Sequence, residues 1–150
     1  MNKKKRITWI AVMDGKHSNF YTMMTEHHLG DLHHTLSAKP IRTDEPTGRG
    51  ELGRTYDSAG GARHIIEPHT SDRTLERKQF MREVAEYLKD KLDKEEYHRL
   101  IITAPPKILG FLRKELSKTV KDVIALEIDK DLVEFHPKEI QEYLEKIIHI

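Results

Sequence analysis

Apolar residues fall in short dense runs over the first forty positions and at helical spacing through the second half of the chain. Ile7-Thr8-Trp9-Ile10-Ala11-Val12-Met13 is almost wholly apolar, β-branched or aromatic, which predicts a strand buried on both faces. Asp14-Gly15 is a hairpin-turn signal. His17 to Thr25 reads as the returning strand, with Phe20, Tyr21, Met23 and Met24. Leu29-Gly30-Asp31 predicts another turn, followed by a third strand over about Leu32 to Ala38 that ends at Lys39-Pro40.

The pattern then changes. From Gly53 to His69 the chain is polar and rich in small residues, and the whole of about 40–72 reads as one long loop. Ser71 or Asp72 is a capping residue for a helix whose Leu75, Phe80, Met81, Val84, Ala85, Leu88 and Leu92 keep helical spacing. Arg99-Leu100-Ile101-Ile102-Thr103-Ala104 predicts a buried strand, stopped by Pro105-Pro106. Pro106 suits the first turn of a helix running to Leu116, with Ile108, Leu109, Phe111 and Leu112 inward. Val123 to Ile128 reads as a fifth strand. Pro137 opens a last helix, with Ile140, Tyr143, Leu144, Ile147 and Ile148 on one side.

Three strands, loop, helix, strand, helix, strand, helix is the order of an α/β domain. A three-stranded antiparallel meander continued by two parallel strands gives a mixed five-stranded sheet flanked by helices, the element order of a ribonuclease H-like fold. The 150 residues fit one domain.

Composition narrows the chemistry. Lys plus Arg number 26 and Asp plus Glu 25, so no overall field draws the chain onto nucleic acid or membrane, and any electrostatic partner must read a local patch. Ten histidines make it cationic below about pH 6.5. Without cysteine there is no disulfide, thiolate zinc site or Cys nucleophile. Met1-Asn2-Lys3-Lys4-Lys5-Arg6 resembles the basic end of a signal peptide. The apolar run after it stops at Asp14-Gly15 without a small-residue cleavage site, and no segment approaches a membrane span. A soluble, uncleaved cytoplasmic protein is the expectation, with no cofactor or bound metal.

Several constellations carry candidate chemistry. In the central loop Gly60-Gly61 lets backbone amides turn toward a ligand, with Arg54, Arg63 and His64 as donors around it and Tyr56, Asp57 and Ser58 close by. His64, Glu67 and His69 form a His-x-x-Glu-x-His set suited to acid–base or metal chemistry, although Pro68 departs from the helical zinc-protease spacing. Ser58 lacks a nucleophile elbow. Asp14, Asp129 and Asp131 are the acids a two-metal nuclease would use, but Arg99 to Thr103 adds none, and Asp14 is explained by its turn. The pairs His27-His28 and His33-His34 flank one turn; alternation along a strand sends adjacent side chains to opposite faces, so at most one of each pair would share a site. Lys107, Arg113, Lys114, Lys118 and Lys121, with Arg54, Arg63, Arg73 and Arg77, are the material for a basic face around the loop.

The run Gly53-Arg54-Thr55-Tyr56-Asp57-Ser58-Ala59-Gly60-Gly61-Ala62-Arg63-His64, then Glu67-Pro68-His69-Thr70, resembles the bacterial host attachment protein family. So do Ala104-Pro105-Pro106 with Leu109-Gly110, and Glu127-Ile128-Asp129-Lys130-Asp131-Leu132, in family order over nearly the whole chain. That family is similar in turn to the middle domain of archaeal and eukaryotic class I translation release factors. There a Gly-Gly-Gln loop enters the peptidyl-transferase centre and promotes peptidyl-tRNA hydrolysis. Ala62 stands where the Gln would be, so the resemblance implies ribosome or RNA binding without the classical release reaction. Its site would comprise Arg54, Tyr56, Asp57, Ser58, Gly60, Gly61, Arg63 and His64. The alternatives are a hydrolase using His64, Glu67 and His69, and a non-catalytic adhesion or scaffold protein that meets a host-cell surface component.

Overall fold

In the computed structural model, which describes residues 6–25, 28–39 and 58–148 (for 58–71 and 148 the backbone only), β1 (Thr8–Met13) forms the centre of a five-stranded sheet. Around it stand β2 (His17–Met23), β3 (Leu29–Ser37), β4 (Arg99–Thr103) and β5 (Ile124–Ile128), in the order β3-β2-β1-β4-β5. β1 pairs antiparallel with β2, and β2 with β3. β1 pairs parallel with β4, and β4 with β5. The meander plus two parallel strands read from the sequence is the observed sheet. β1 takes the middle because Trp9 to Met13 are apolar and buried on both faces, and a central strand offers apolar neighbours on both sides.

Helices cover both faces. On one lie α1 (Ser58–Asp93), α2 (Pro106–Glu115) and the short α3 (Lys118–Asp122). Trp9, Ala11, Met13 and Phe20 of the sheet pack there with Phe80, Met81, Val84 and Leu88 of α1 and Ile108, Leu109 and Leu112 of α2. On the other lies α4 (Pro137–Ile148), whose Ile140 and Leu144 meet Ile10, Val12, Tyr21 and Ile101. Each large side chain so buried contributes about 1.5–3 kcal/mol, and the alternation along β1 divides that burial between two cores. The end of α1 is fixed by a Schellman motif: Glu96 N donates to Lys91 O and Glu95 N to Leu92 O, both at 2.9 Å, with Glu95 at φ 59°. Tyr97 follows, buried, stacked on Trp9, and donating its hydroxyl to Leu88 O at 2.7 Å.

Besides the short α3, which the sequence reading did not include, the structure departs from the sequence expectation in three places. First, α1 begins at Ser58, so the caps expected at Ser71 or Asp72 lie inside a helix and 58–72 is not loop. Gly60, Gly61 and Pro68 are breakers by local propensity. Once the segment packed on the sheet has nucleated, however, extending a helix adds a hydrogen bond for each residue fixed other than Pro68, against about 1 kcal/mol for each glycine and about 3 kcal/mol for the proline. Residues 40–57 lie outside the described residues. Second, Leu75 is 52% exposed although it continues the apolar stripe of α1, because the sheet ends at the Gly15 turn, beside Arg77. Third, Gly30 is a strand residue, not a turn. Met24 N donates to His28 O at 2.7 Å to begin the turn earlier, and an added Cβ at Gly30 would stand 2.5 Å from Thr22 O.

The β2–β3 pairing slips between Phe20 and Tyr21 and again between Tyr21 and Met23. His34 lies opposite Phe20 and Leu32 opposite Tyr21, leaving His33 as an extra residue between them. Bulges of this kind re-aim side chains.

Candidate functional site at the carboxyl edge of the sheet

β1, β4 and β5 run parallel, and their carboxyl ends lead into Asp14-Gly15-Lys16, Ala104-Pro105-Pro106 and Asp129-Lys130-Asp131. In open α/β sheets this edge is where ligands bind. The first of these turns is held by Asp14, whose Oδ1 accepts from Lys16 N and His17 N, both at 2.8 Å. Asp14 is thus spent on the turn. Arg77 of α1 lies across Gly15, so close that an added Cβ would meet its Nε at 2.7 Å. Gly15, Lys16, Ala38, Arg73, Glu76 and Arg77 enclose a recess of about 380 Å³. Arg73 and Arg77 sit one helical turn apart, which brings both guanidinium groups to one side of α1. Among the described residues Lys16, Arg73 and Arg77 form no ion pair. The recess therefore presents three cations with one carboxylate, a composition suited to phosphate or carboxylate oxygens.

The rest of the expected basic face divides. Arg113 pairs with Glu127 at 2.6 Å and Lys118 with Asp122 at 3.2 Å. Lys107 opens α2 at the same edge as the recess.

The residues put forward from the sequence are partly in view. Arg54, Tyr56 and Asp57 lie outside the described residues. Ser58, Gly60, Gly61, Arg63, His64, Glu67 and His69 are helical in backbone, on the part of α1 that runs into Arg73. At about 100° per residue, positions 60, 64 and 67 share one side of that helix, while 69 is turned about 200° from 67. A helical backbone thus groups two of the His64, Glu67 and His69 set and sends the third elsewhere.

The histidine pairs are the other correction. His27 lies outside the described residues, and His28 closes the β2–β3 turn, its Nδ1 2.9 Å from Thr25 Oγ1. His33 and His34 do not diverge. The bulge turns both to the α1 side, where His33 meets Trp9 at 4.4 Å between centroids and His34 stacks on Tyr87 at 4.7 Å. Packing against this aromatic layer lowers the His33 pKa below the ordinary imidazole value; His34 lowers it further, Glu96 opposes and Lys91 reinforces. Among the described residues no three His, Asp or Glu side chains come together as a metal ion would require, and no helix is long and apolar enough to cross a membrane.

Sequence reasoning identified Arg73 and Arg77 as members of a basic face but missed Gly15 and Lys16. The available signal was a tight turn at the carboxyl end of a strand that the same reading made parallel to two others.

The comparisons with known proteins fall on this frame. The chain is similar to the archaeal translation termination factor aRF1 in its crystal structure, with 12% identity and a TM-score of 0.46 over 94% of this chain and 37% of that one. It is 31% identical over 132 residues to an uncharacterized protein of Rickettsia prowazekii (strain Madrid E), covering 83% of each. A family model described as "Protein required for attachment to host cells" matches residues 9–144, and the chain belongs to that family.

Proposed function

We propose that the protein binds RNA, in the setting of a ribosomal particle, through the carboxyl edge of its sheet. The observation that carries this reading is the recess of Lys16, Arg73 and Arg77, three cations without ion-pair partners among the described residues, partway along the helix that bears Gly60 and Gly61. Phosphates neutralise such a cluster with release of counterions, so affinity falls steeply with salt. Gly60 and Gly61 allow close approach of backbone to RNA, Arg54, Arg63 and His64 contact phosphate or base, and Tyr56, Asp57 and Ser58 shape the segment before them. Ala62 carries no side-chain amide, so binding without peptidyl-tRNA hydrolysis is expected. The attachment in the family's description supports a second reading, direct contact with a host-cell surface component.

The test is co-sedimentation with ribosomal particles at low and moderate salt, alongside anisotropy titration of labelled single-stranded RNA. Wild type should travel with the particles at low salt. An Arg73→Ala, Arg77→Ala variant should stay at the top, with its RNA salt slope reduced by about 1 for each phosphate it no longer neutralises. Wild type that never leaves the top fractions, or a variant with an unchanged slope, would refute the proposal. Binding of purified protein to intact host cells that survives removal of both arginines would favour the surface reading.

A further inference from the structure

At the opposite edge of the sheet, and on its other face, lies a groove of about 560 Å³. It opens beside the last described turn of α4. Ile140 and Leu144 are buried, but Ile147, one turn further, is 40% exposed. Below it the amino ends of β1, β4 and β5 and the end of β2 line the groove. Met23 and Ile101 form the floor, and Leu126 and Met24, 36% and 71% exposed, stand at the sides. Leu126 reaches this face through a register slip: Leu100 lies opposite Ile124, whereas Ile101 lies opposite Leu126. The extra residue, Ala125, lines the groove as well.

The polar lining is one-sided. Among the described residues Arg6 and Arg99 are the only charged groups of the groove, and neither forms an ion pair there. Thr8 and Thr25 supply hydroxyl groups. Mostly apolar walls with a few convergent polar groups, in a volume of roughly 300–1,000 Å³, characterise a small-molecule site. An apolar floor calls for a hydrocarbon chain, and a pair of guanidinium groups calls for a carboxylate, which Arg binds in bidentate fashion.

We infer that this groove binds a single-chain amphiphilic carboxylate of the fatty-acid class, its chain along Met23, Ile101, Leu126 and Ile147 and its head group at Arg6 and Arg99. A recess of about 560 Å³ has the size of a small-molecule site, which distinguishes its ligand from a bilayer surface. It lies apart from the carboxyl-edge recess, so its occupancy does not depend on RNA binding.

The experiment titrates the full chain with dodecanoate below its micellar concentration. The readouts are calorimetry and methyl chemical shifts, with dodecanol and anionic phospholipid vesicles as parallel probes. Saturable binding of dodecanoate at about one per chain is expected, with shifts concentrated at Ile101, Leu126, Ile147, Met23 and Met24. Dodecanol should bind at least about tenfold more weakly, since a charge-assisted pair is worth about 1.5 kcal/mol or more. An Arg6→Gln, Arg99→Gln variant should weaken binding by a similar factor, and Arg99→Lys should retain part of the affinity. If the Arg99 variants melt early, Ile147→Glu, at an exposed position, tests the chain-binding half alone and should abolish binding. Absence of saturable binding, equal affinity for dodecanol, or capture of vesicles without binding of monomeric dodecanoate would overturn the inference.

Discussion

The guanidinium chain of Arg77 lies over Gly15, with Nε 2.7 Å from where a β-carbon at that position would stand. The glycine at the β1–β2 turn is therefore the seat of an α1 side chain as well as a turn residue. Gly15→Ala should displace Arg77 while changing stability by no more than about 1 kcal/mol, because a flexible side chain can give way. If the recess binds RNA, its affinity at low salt should fall about three- to tenfold, because roughly one phosphate is no longer neutralised. Thermal melts paired with RNA anisotropy check both parts. Unchanged affinity would mean that Arg77 need not occupy its observed position.

Two other glycines should respond in opposite directions. A Cβ at Gly30 would meet the Thr22 carbonyl oxygen at 2.5 Å, and backbone cannot yield as a side chain does. Gly30→Ala should cost about 1–3 kcal/mol. Gly110 lies inside α2 with nothing within 4 Å of an added Cβ, so Gly110→Ala should stabilise by about 0.5–1 kcal/mol through helix propensity. Urea denaturation of the two variants beside wild type measures both signs.

His33 makes folding stability depend on pH. Its folded-state pKa is lowered, first by burial against the aromatic layer and then by the charges around it. The unfolded chain therefore takes up a proton before the folded one does. The contribution is fully present above the ordinary imidazole value of 6.5 and is lost as pH falls from there through the folded pKa. Denaturation midpoints between pH 8 and pH 5, as approximate bounds around the ordinary histidine range, should decline in wild type and decline less in His33→Gln. A parallel decline in both would remove His33 as a source.

Thr103 Oγ1 is buried without a hydrogen-bond partner among protein groups. It lies at the end of β4, between Val12 and Ile128 in register. Thr103→Val keeps the shape and removes the hydroxyl, so it should stabilise by about 1 kcal/mol, or roughly 2–4 °C in Tm for a chain of this size. A lower Tm would show that the hydroxyl is satisfied by water or serves a role that the valine abolishes.

Much of this architecture was legible in the residues. Trp9 to Met13 is apolar on both phases of the alternation, which dictates a two-faced central strand wherever it folds. Pro106 and Pro137 begin their helices as proline chemistry favours. Asp14 was legible too, because an Asp-Gly turn uses its carboxylate on backbone amides. His33 and His34 were not. Strict alternation holds only while pairing stays in register, and one extra residue in β3 turned both rings to the same side. The start of α1 was not legible either, since local breakers set no boundary once a helix is nucleated by packing elsewhere.

By itself the sequence determined the strands, the helices packed on them and their two-sided burial, because these follow from side-chain period and size along a local stretch. Only the tertiary structure decided that Arg77 crosses Gly15, that Lys16 joins Arg73 beside it, and that Arg6 and Arg99 edge one groove. Those relationships join residues from about sixty to more than ninety positions apart, and they depend on strand register and helix length, which no local pattern encodes.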